Sequence, residues 1–282
     1  MIRPVQQGEG LLRDIAATAG KQEGFRVWWL GQSGFLIQWA GKHLLLDPYL
    51  SDSLSLKYAQ TDKPHTRISE RVIAPALLDM ITVVTSSHNH TDHLDAETLG
   101  PVLAASPAAH FLIPEANRAF VCQRLGCDPA FPVGINDGET LHLAGFEFTG
   151  IPAAHNTIDR DDQGRCCYLG YIVRFGPYAI YHSGDTLWYP GLETWVRPHE
   201  VDIAFLPING NLPERRVAGN MDAREAAAFG QACAARCVIP HHYDMFAFNT
   251  ADPQDFVAAA QALKVPHLVL RLGEQTEISA KG

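Results

Sequence analysis

The sequence lacks the cysteine spacing of a disulfide framework or a thiolate metal site. Its 282 residues include six cysteines, and no two of them form the C-x-x-C pair of thiol redox motifs and many zinc sites. Cys233 and Cys237 are four residues apart, a spacing that favours two core thiols on one helix face over a pair of ligands. We therefore expect a protein of a reducing compartment, without disulfides.

The sequence also lacks the apolar stretches that direct a chain into or across a membrane. Its first residues (MIRPVQQ) contain no apolar core of the kind that secretory signal peptides carry. No apolar run approaches the roughly 20 residues that a membrane-spanning helix needs. We therefore expect a cytoplasmic protein without a membrane partner.

Positive charge is scarce, because 22 Lys and Arg stand against 31 Asp and Glu and give a formal net charge of −9. An acidic surface repels phosphate backbones, so we expect no nucleic-acid partner, and a nuclease is disfavoured. A small anionic substrate is compatible with this charge, since bound metal ions and a local Arg or Lys can supply positive charge.

No long Gly/Ser linker and no run of like charges divides the chain. The composition, 46% hydrophobic and 19% charged, is ordinary for a globular protein with a large core. We predict a single domain over residues 1–282, with residues 1–24 as a lead-in segment that carries a short amphipathic stripe.

Apolar periodicity and turn signals predict an α/β fold. Three short strands are expected between residues 26 and 47, and residues 49–70 are expected to form a polar surface loop. Further strands are predicted over 81–84, 110–113, 139–143, 146–151, 168–175, 178–182, 203–207, 237–239 and 267–270, and helices over 95–105, 114–125, 191–196, 222–234 and 253–263. This order suits two mixed sheets packed face to face with helices outside, a four-layer αβ/βα sandwich.

The most informative segment follows the buried strand predicted over 81–84. Residues 86–95 (SSHNHTDHLD) contain three histidines and two carboxylates. Alternate positions of an extended segment point the same way, so His88 and His90 can face one metal ion, while Asp92 and His93 turn toward a second position nearby. Imidazole nitrogens and carboxylate oxygens suit zinc, manganese and iron.

This H-x-H-x-D-H spacing resembles the signature of the metallo-β-lactamase superfamily, whose fold is the same sandwich. Four other segments add to the resemblance: residues 28–34 (WWLGQSG), 44–48 (LLLDP), 181–186 (YHSGDT) and 238–243 (VIPHHY). Together they are similar to the L-ascorbate-6-phosphate lactonase-like branch, to which the N-acyl-phosphatidylethanolamine phospholipase D enzymes are related. The resemblance extends over about residues 25–248.

The resemblance implies a centre of two divalent metal ions, Zn²⁺ or Mn²⁺. The first ion would be held by His88, His90 and His155, the second by Asp92, His93 and His242, and both by Asp185 as a bridge.

Two positions near this implied centre have alternative interpretations. Branch members carry a Pro, one variable residue and then the ligand, which favours His242 over His241. His241 would then support the ligand or line the pocket. Asp47, before Pro48, either orients a ligand histidine from behind or is an ordinary turn residue.

The resemblance further implies hydrolysis by a metal-bound hydroxide, with Asp92 as ligand and as proton acceptor or shuttle. We predict a lactonase-like hydrolase of a small, anionic ester or lactone. A phosphodiesterase of the phospholipase D-like branch is the main alternative. A redox enzyme and a non-catalytic binding protein are less favoured, because the set of implied ligands is complete.

Substrate contacts are predicted in three segments near the implied centre. A clamp for phosphate or carboxylate could come from the polar segment 209–216, although its arginines could equally be exposed to solvent. We expect a small-molecule substrate as partner and, because relatives form them, a homo-oligomer. The candidate substrate-binding residues are Asn156, Arg215, Arg216, His241 and Tyr243.

Overall fold

The computed structural model describes residues 1–21 and 23–279. Its strands are β1 (Phe25–Gly31), β2 (Gly34–Trp39), β3 (Lys42–Leu46), β4 (Val83–Thr85), β5 (His110–Pro114), β6 (Val133–Ile135), β7 (Thr140–Leu143), β8 (Phe146–Pro152), β9 (Leu169–Phe175), β10 (Tyr178–His182), β11 (Ile203–Pro207), β12 (Val238–His241) and β13 (Gln275–Ile278). The α-helices are α1 (Glu9–Thr18), α2 (Ser53–Tyr58), α3 (Ala96–Ala105), α4 (Arg118–Leu125), α5 (Leu192–Val196), α6 (Ala223–Ala232) and α7 (Pro253–Leu263).

The strands form two mixed sheets. In the described residues the first sheet has the order β13-β1-β2-β3-β4-β5-β6, and the second has the order β12-β11-β10-β9-β8-β7. Each sheet joins an antiparallel group of hairpin-linked strands to a parallel group that begins at β3 in the first sheet and at β10 in the second. The predicted αβ/βα sandwich is therefore confirmed.

Aromatic side chains pack between the two sheets. The ring centroid of Phe35 in β2 lies 4.3 Å from that of Phe205 in β11, and Phe25 in β1 lies 5.1 Å from Phe175 in β9. All four rings are buried, and each such pair adds about 0.5–1.5 kcal/mol beyond the burial of its area. One apolar core is thus continuous across both sheets.

The loops that carry polar residues leave the carboxyl ends of the parallel strands. Strands β3 and β4 are parallel neighbours in the first sheet, and β10, β11 and β12 are parallel neighbours in the second. The carboxyl ends of parallel strands share one edge of a sheet, where α/β proteins place their ligand sites. The segment 86–95 after β4, called the metal loop below, and the loops after β10 and β12 therefore meet at one edge of the sandwich.

The amino-terminal half of the fold differs from the sequence-based prediction at three places. The segment 49–70, predicted as a loop, contains the short helix α2, which buries Leu54. The helix predicted from residue 114 begins only at Arg118, because Pro114 ends β5 and a 3₁₀ turn over Glu115–Asn117 follows it. Strand β6 was not predicted.

The last predicted strand is wrong. Residues 267–270 contribute only an isolated bridge between His267 and Val238, and the final strand of the described chain is β13. It pairs antiparallel with β1 at the edge of the first sheet, from Phe25 opposite Ile278 to Trp28 opposite Gln275. An edge strand is half solvated, so its sequence (QTEI) needs few of the apolar residues that mark the central strands.

Candidate metal centre

The segment 86–95 leaves the buried strand β4 and ends at the start of α3. His88 and His93 are buried within it, with 1% and 0% of their surface exposed, while His90 and Asp92 line a cavity. The backbone bends between them, since the amide N of His93 donates to the carbonyl O of His90 at 3.1 Å. The loop therefore presents its polar side chains in more than one direction.

Two groups of side chains could each hold a metal ion. The nitrogens of His88, His90 and His155 lie within 4.8 Å of one another, and a second group meets the same limit with donor atoms from four residues. Imidazole and carboxylate donors at this spacing fit zinc or manganese. The second group consists of Asp92, His93, Asp185 and His242.

The carboxylate of Asp185 lies between the two groups. Its Oδ2 is 3.3 Å from Nε2 of His155 in the first group. Its Oδ1 is 3.2 Å from Nε2 of His93 and 3.0 Å from Nε2 of His242 in the second group. One carboxylate therefore faces both sets of nitrogens, the arrangement that a residue bridging two cations needs.

A glycine turn brings Asp185 to this position. Gly184 follows β10 with φ of 58°, a left-handed conformation that favours glycine. A Cβ atom there would lie 2.7 Å from Cβ of Ser87 and 2.9 Å from the carbonyl O of Leu169. The turn after β10 can therefore press against the base of the metal loop only without a side chain at residue 184.

Three candidate ligand histidines are held from behind through Nδ1. His93 Nδ1 lies 2.7 Å from Oδ2 of Asp47, His155 Nδ1 lies 2.7 Å from the carbonyl O of Gly219, and His88 Nδ1 lies 3.0 Å from Oγ of Ser87. Such contacts fix the ring tautomer and turn the other nitrogen toward a metal ion. Asp47 thus orients a ligand histidine, one of the two interpretations that the sequence allowed.

The forward nitrogens of three rings are buried without a hydrogen-bond partner in the described chain. They are Nε2 of His88, His93 and His242. Oδ1 of Asp185 is also buried without a hydrogen bond, although it lies 3.2 and 3.0 Å from Nε2 of His93 and His242. Leaving a buried polar atom unpaired costs about 1–3 kcal/mol, so several at one point are a strong indication of a missing partner. Divalent cations match all four atoms at once.

His242 is turned toward the centre by its neighbour His241. Nδ1 of His242 lies 2.6 Å from Nδ1 of His241, and its Nε2 faces Asp185. The His241 ring is buried and lies parallel to the ring of His182, at 5.5 Å and 12°. His241 therefore does not face the cavity but supports His242 from behind.

Burial and neighbouring charges set the protonation of the centre. Burial, followed by the charge of His155, lowers the pKa of His90 to about 4. Burial also lowers the pKa of His88. Burial would raise the pKa of Asp185, but the charges of His242, His93 and His155 outweigh it and hold that pKa well below its usual range. Neutral His88 and His90 and an ionised Asp185 are the forms that bind cations.

A cavity of about 390 Å³ opens beside both groups. His90, Asp92, His155 and Asp185 form its inner end. Its walls mix apolar side chains with cations: Leu54, Tyr58, Phe120, Val217 and Ala218 are largely apolar, and Lys57, Lys63, Arg124 and Arg216 are positively charged.

Of the predicted substrate-binding residues, only Arg216 lines this cavity. Arg215 turns away, and its guanidinium donates to Oδ1 of Asn249 and to the carbonyl O of Thr250. Asn156 is exposed and accepts a hydrogen bond from the amide of Gly219 at 3.2 Å.

Tyr243 and His241 are buried below the centre instead of lining the cavity. The Tyr243 ring stacks on Trp29 with centroids 4.2 Å apart, and its hydroxyl donates to the carbonyl O of Leu270. His241 is occupied by its contacts with His242 and His182. Both side chains are therefore out of reach of a molecule in the cavity.

The turn between β1 and β2 supplies two supporting side chains that sequence reasoning missed. Gln32 donates from Nε2 to Oδ2 of Asp92 at 2.9 Å, and Oγ of Ser33 lies 3.2 Å from Nδ1 of His93. The residues GQSG indicated a hairpin and added to the family resemblance, but gave neither side chain a role at the site. Their contacts depend on how β1 and β2 meet the loop after β4.

The comparisons with known proteins agree with this geometry. The sequence profile of the beta-lactamase superfamily domain matches residues 26–242. This chain belongs to that superfamily. It also belongs to the UPF0173 metal-dependent hydrolase family, because it is 30% identical to the member from Pyrococcus furiosus over 257 residues, which are 90% of this chain and 99% of the relative.

Solved structures with the same fold carry different chemistries. Igni18, a metallo hydrolase from Ignicoccus hospitalis, is 21% identical with a TM-score of 0.67, over 91% of this chain and 99% of that one. CmlA, a diiron β-hydroxylase from Streptomyces venezuelae, is 19% identical with a TM-score of 0.66, over 97% of this chain and 60% of that one. These likenesses establish the fold, and the reaction has to be argued from the site.

None of the helices within residues 1–21 and 23–279 combines the length and the apolar character that crossing a membrane requires.

Proposed function

We propose that this protein is a metal-dependent hydrolase that cleaves an ester or lactone bond in a small, anionic molecule. The observation that carries the proposal is the position of Asp185 between two groups of donor atoms at the inner end of a cavity. The family name of the curated relatives, metal-dependent hydrolase, and the resemblance to lactonase-like enzymes support the same class of reaction.

The centre fits two divalent ions, which we propose to be Zn²⁺ or Mn²⁺. His88, His90 and His155 would hold one, Asp92, His93 and His242 the other, and Asp185 both. Such ions lower the pKa of a bound water to about 7, supply a nucleophile at neutral pH and polarise the carbonyl of the substrate.

Asp92 is the carboxylate best placed to move a proton. Its side chain is 17% exposed and lines the cavity, whereas that of Asp185 is 5% exposed. Gln32 holds Oδ2 of Asp92 by donating a hydrogen bond. Asp92 can thus accept the proton of the attacking water and pass it to the leaving oxygen, the role of a general acid and base. No serine or cysteine nucleophile is required.

The preference for an anion is supported by the cations that line the cavity in an otherwise acidic protein. Lys57, Lys63 and Arg216 line it, although the chain carries a net charge of −9. A phosphodiester would also be attracted by these charges, and a bimetallic centre can hydrolyse it. The experiment therefore has to separate carbon esters from phosphate esters.

The test is a metal assay followed by a substrate screen. Untagged protein is analysed for metal content, stripped with a chelator, reloaded with Zn²⁺ or Mn²⁺ and incubated with a panel of lactones, aryl esters and bis-p-nitrophenyl phosphate. We expect hydrolysis of lactones or carboxylic esters by the reloaded protein only. Turnover of the phosphodiester alone would replace the proposal with the phosphodiesterase alternative.

A further inference from the structure

The cavity beside the candidate metal centre is lined by four cations, which differ in how far other contacts already engage them. Two of its four cations are already engaged. Arg216 pairs with Asp62 at the rim. Arg124 donates to the carbonyl oxygens of Asn89 and Leu94 at 2.7 and 3.1 Å, so that it braces the metal loop.

Lys57 is held directly against the metal loop. Its Nζ donates to Oγ1 of Thr91 at 3.2 Å, and Thr91 stands between His90 and Asp92, which line the same cavity. A hydroxyl uses one of the three ammonium donors, so two stay available. Within residues 1–21 and 23–279, no carboxylate forms an ion pair with Lys57.

Lys63 contacts a different segment of the cavity wall. Its Nζ donates to the backbone oxygen of Arg216, which ties the segment after α2 to the segment before Gly219. The carbonyl O of Gly219 in turn accepts the hydrogen bond from Nδ1 of His155. Lys57 thus contacts the residue between two candidate metal ligands, and Lys63 contacts the segment that leads to Gly219, the hydrogen-bond partner of the candidate ligand His155.

We propose that Lys57 and Lys63 form an anion subsite that binds a carboxylate or phosphate group of the substrate beside the bond to be cleaved. This inference rests on the proposed function and adds to it the residues that select the substrate. Lys57 has the leading role, because its ammonium has no charged partner and lies next to Thr91 in the metal loop. Charge-assisted hydrogen bonds of this kind are stronger than neutral ones.

A binding experiment tests the subsite without any turnover. Metal-loaded protein is titrated by calorimetry with ethylphosphonate and with 2-carboxyethylphosphonate, which differ by one added carboxylate. Both present the same phosphonate to the centre, so the ratio of their dissociation constants isolates the second anion. We expect the carboxylate to tighten binding by roughly tenfold or more, the effect of one charge-assisted hydrogen bond.

The variants Lys57→Met and Lys21→Met form a matched pair, because each removes one positive charge. Lys21 lies on the surface in an ion pair with Glu277, 50% exposed. We expect the affinity ratio to fall below about threefold in K57M and to be unchanged in K21M, with equal metal content in both. A ratio near one in the unsubstituted protein, or the same ratio in K57M and K21M, would overturn the subsite.

A kinetic arm distinguishes the source of the anion and separates this inference from the proposed function. Gluconolactone is compared with its phosphate monoester, and γ-butyrolactone with its γ-carboxylate derivative. Selective loss of kcat/KM for the phosphorylated or the carboxylated member in K57M identifies the group that Lys57 binds. If neither a lactone nor a carboxylic ester is hydrolysed while the phosphonate ratio responds to K57M, the proposed reaction is wrong and the anion subsite stands.

Discussion

Asp185 is the single residue on which the geometry of the centre depends most. Its two carboxylate oxygens face nitrogens from different groups, and its charge would offset the repulsion between two cations. An asparagine at this position has nearly the same shape but no charge.

For Asp185→Asn we expect the loss of at least one metal equivalent and of nearly all turnover. Metal content by elemental analysis, together with activity after reloading, measures both effects. A far-ultraviolet circular dichroism spectrum identical to that of the unsubstituted protein serves as the folding control. Retention of two equivalents of metal would exclude a bridging role.

The role of His241 depends on its neighbour His242. If His242 binds a cation through Nε2, its ring proton is on Nδ1 and donates to Nδ1 of His241. The proton of His241 then lies on Nε2, which is buried without a partner in the described chain. A stability cost of this kind is tolerated where it positions a ligand.

For His241→Phe, which keeps a ring against His182 but lacks the acceptor, we expect metal affinity to fall by about 10–100-fold at one site. His241→Asn, which offers an acceptor in place of Nδ1, should lose less than about tenfold. Competition with a chromophoric chelator measures both variants. Equal losses in the two would show that His241 only fills space.

At the scale of elements, helix α6 is begun by a capping box. Asp222 accepts hydrogen bonds from the backbone amides of Arg224 and Glu225, and the carboxylate of Glu225 accepts one from the amide of Asp222. Three otherwise unpaired amides at the helix start are thereby satisfied.

For Asp222→Ala we expect a loss of about 1 kcal/mol in the free energy of unfolding, measured by urea denaturation, with metal content unchanged. Asp162→Ala, at an exposed position outside the helices, is the control and should be close to neutral. A loss in D222A no larger than in D162A would contradict the role of the cap.

The elements also show which parts of the fold the sequence could predict. The strands before the metal loop and the helix after it were predicted because apolar runs and the loop motif lie next to each other in the chain. The edge strand β13 was missed, because its pairing with β1 joins residues some 250 positions apart, as in Phe25 with Ile278. Residues 267–270 are apolar because they pack against the core, where Leu270 is buried, and not because they form a strand.

The cavity was predicted less well than the ligands for the same reason. The motif fixes the positions of His88, His90, Asp92 and His93 within one loop. The walls come from α2, α4 and the segment around Arg216, and nothing in their local sequence indicates that they meet. Lys57 lies in the segment predicted as a polar loop, where its charge suited either solvation or a contribution to substrate binding. Gln32 lies in a segment that added to the family resemblance, but its side chain was given no role.

At the scale of the whole molecule, the buried unpaired nitrogens predict a strong effect of metal on stability. A ligand at a hundredfold excess over its dissociation constant stabilises the folded state by about 2.7 kcal/mol, which corresponds to a rise in Tm of roughly 5–10 °C for a protein of this size. We expect chelation to lower Tm by at least this amount in differential scanning calorimetry. The shift should be smaller in D185N, and an equal shift in D185N would indicate metal binding elsewhere.

The donor atoms are divided between the two sheets. The loop after β4 in the first sheet contributes His88, His90, Asp92 and His93, while segments after β8, β10 and β12 in the second contribute His155, Asp185 and His242. Two bound metal ions would cross-link the two sheets, so weakening the distant aromatic contacts between the sheets should also weaken metal binding. Neither half of the chain could form the metal centre by itself.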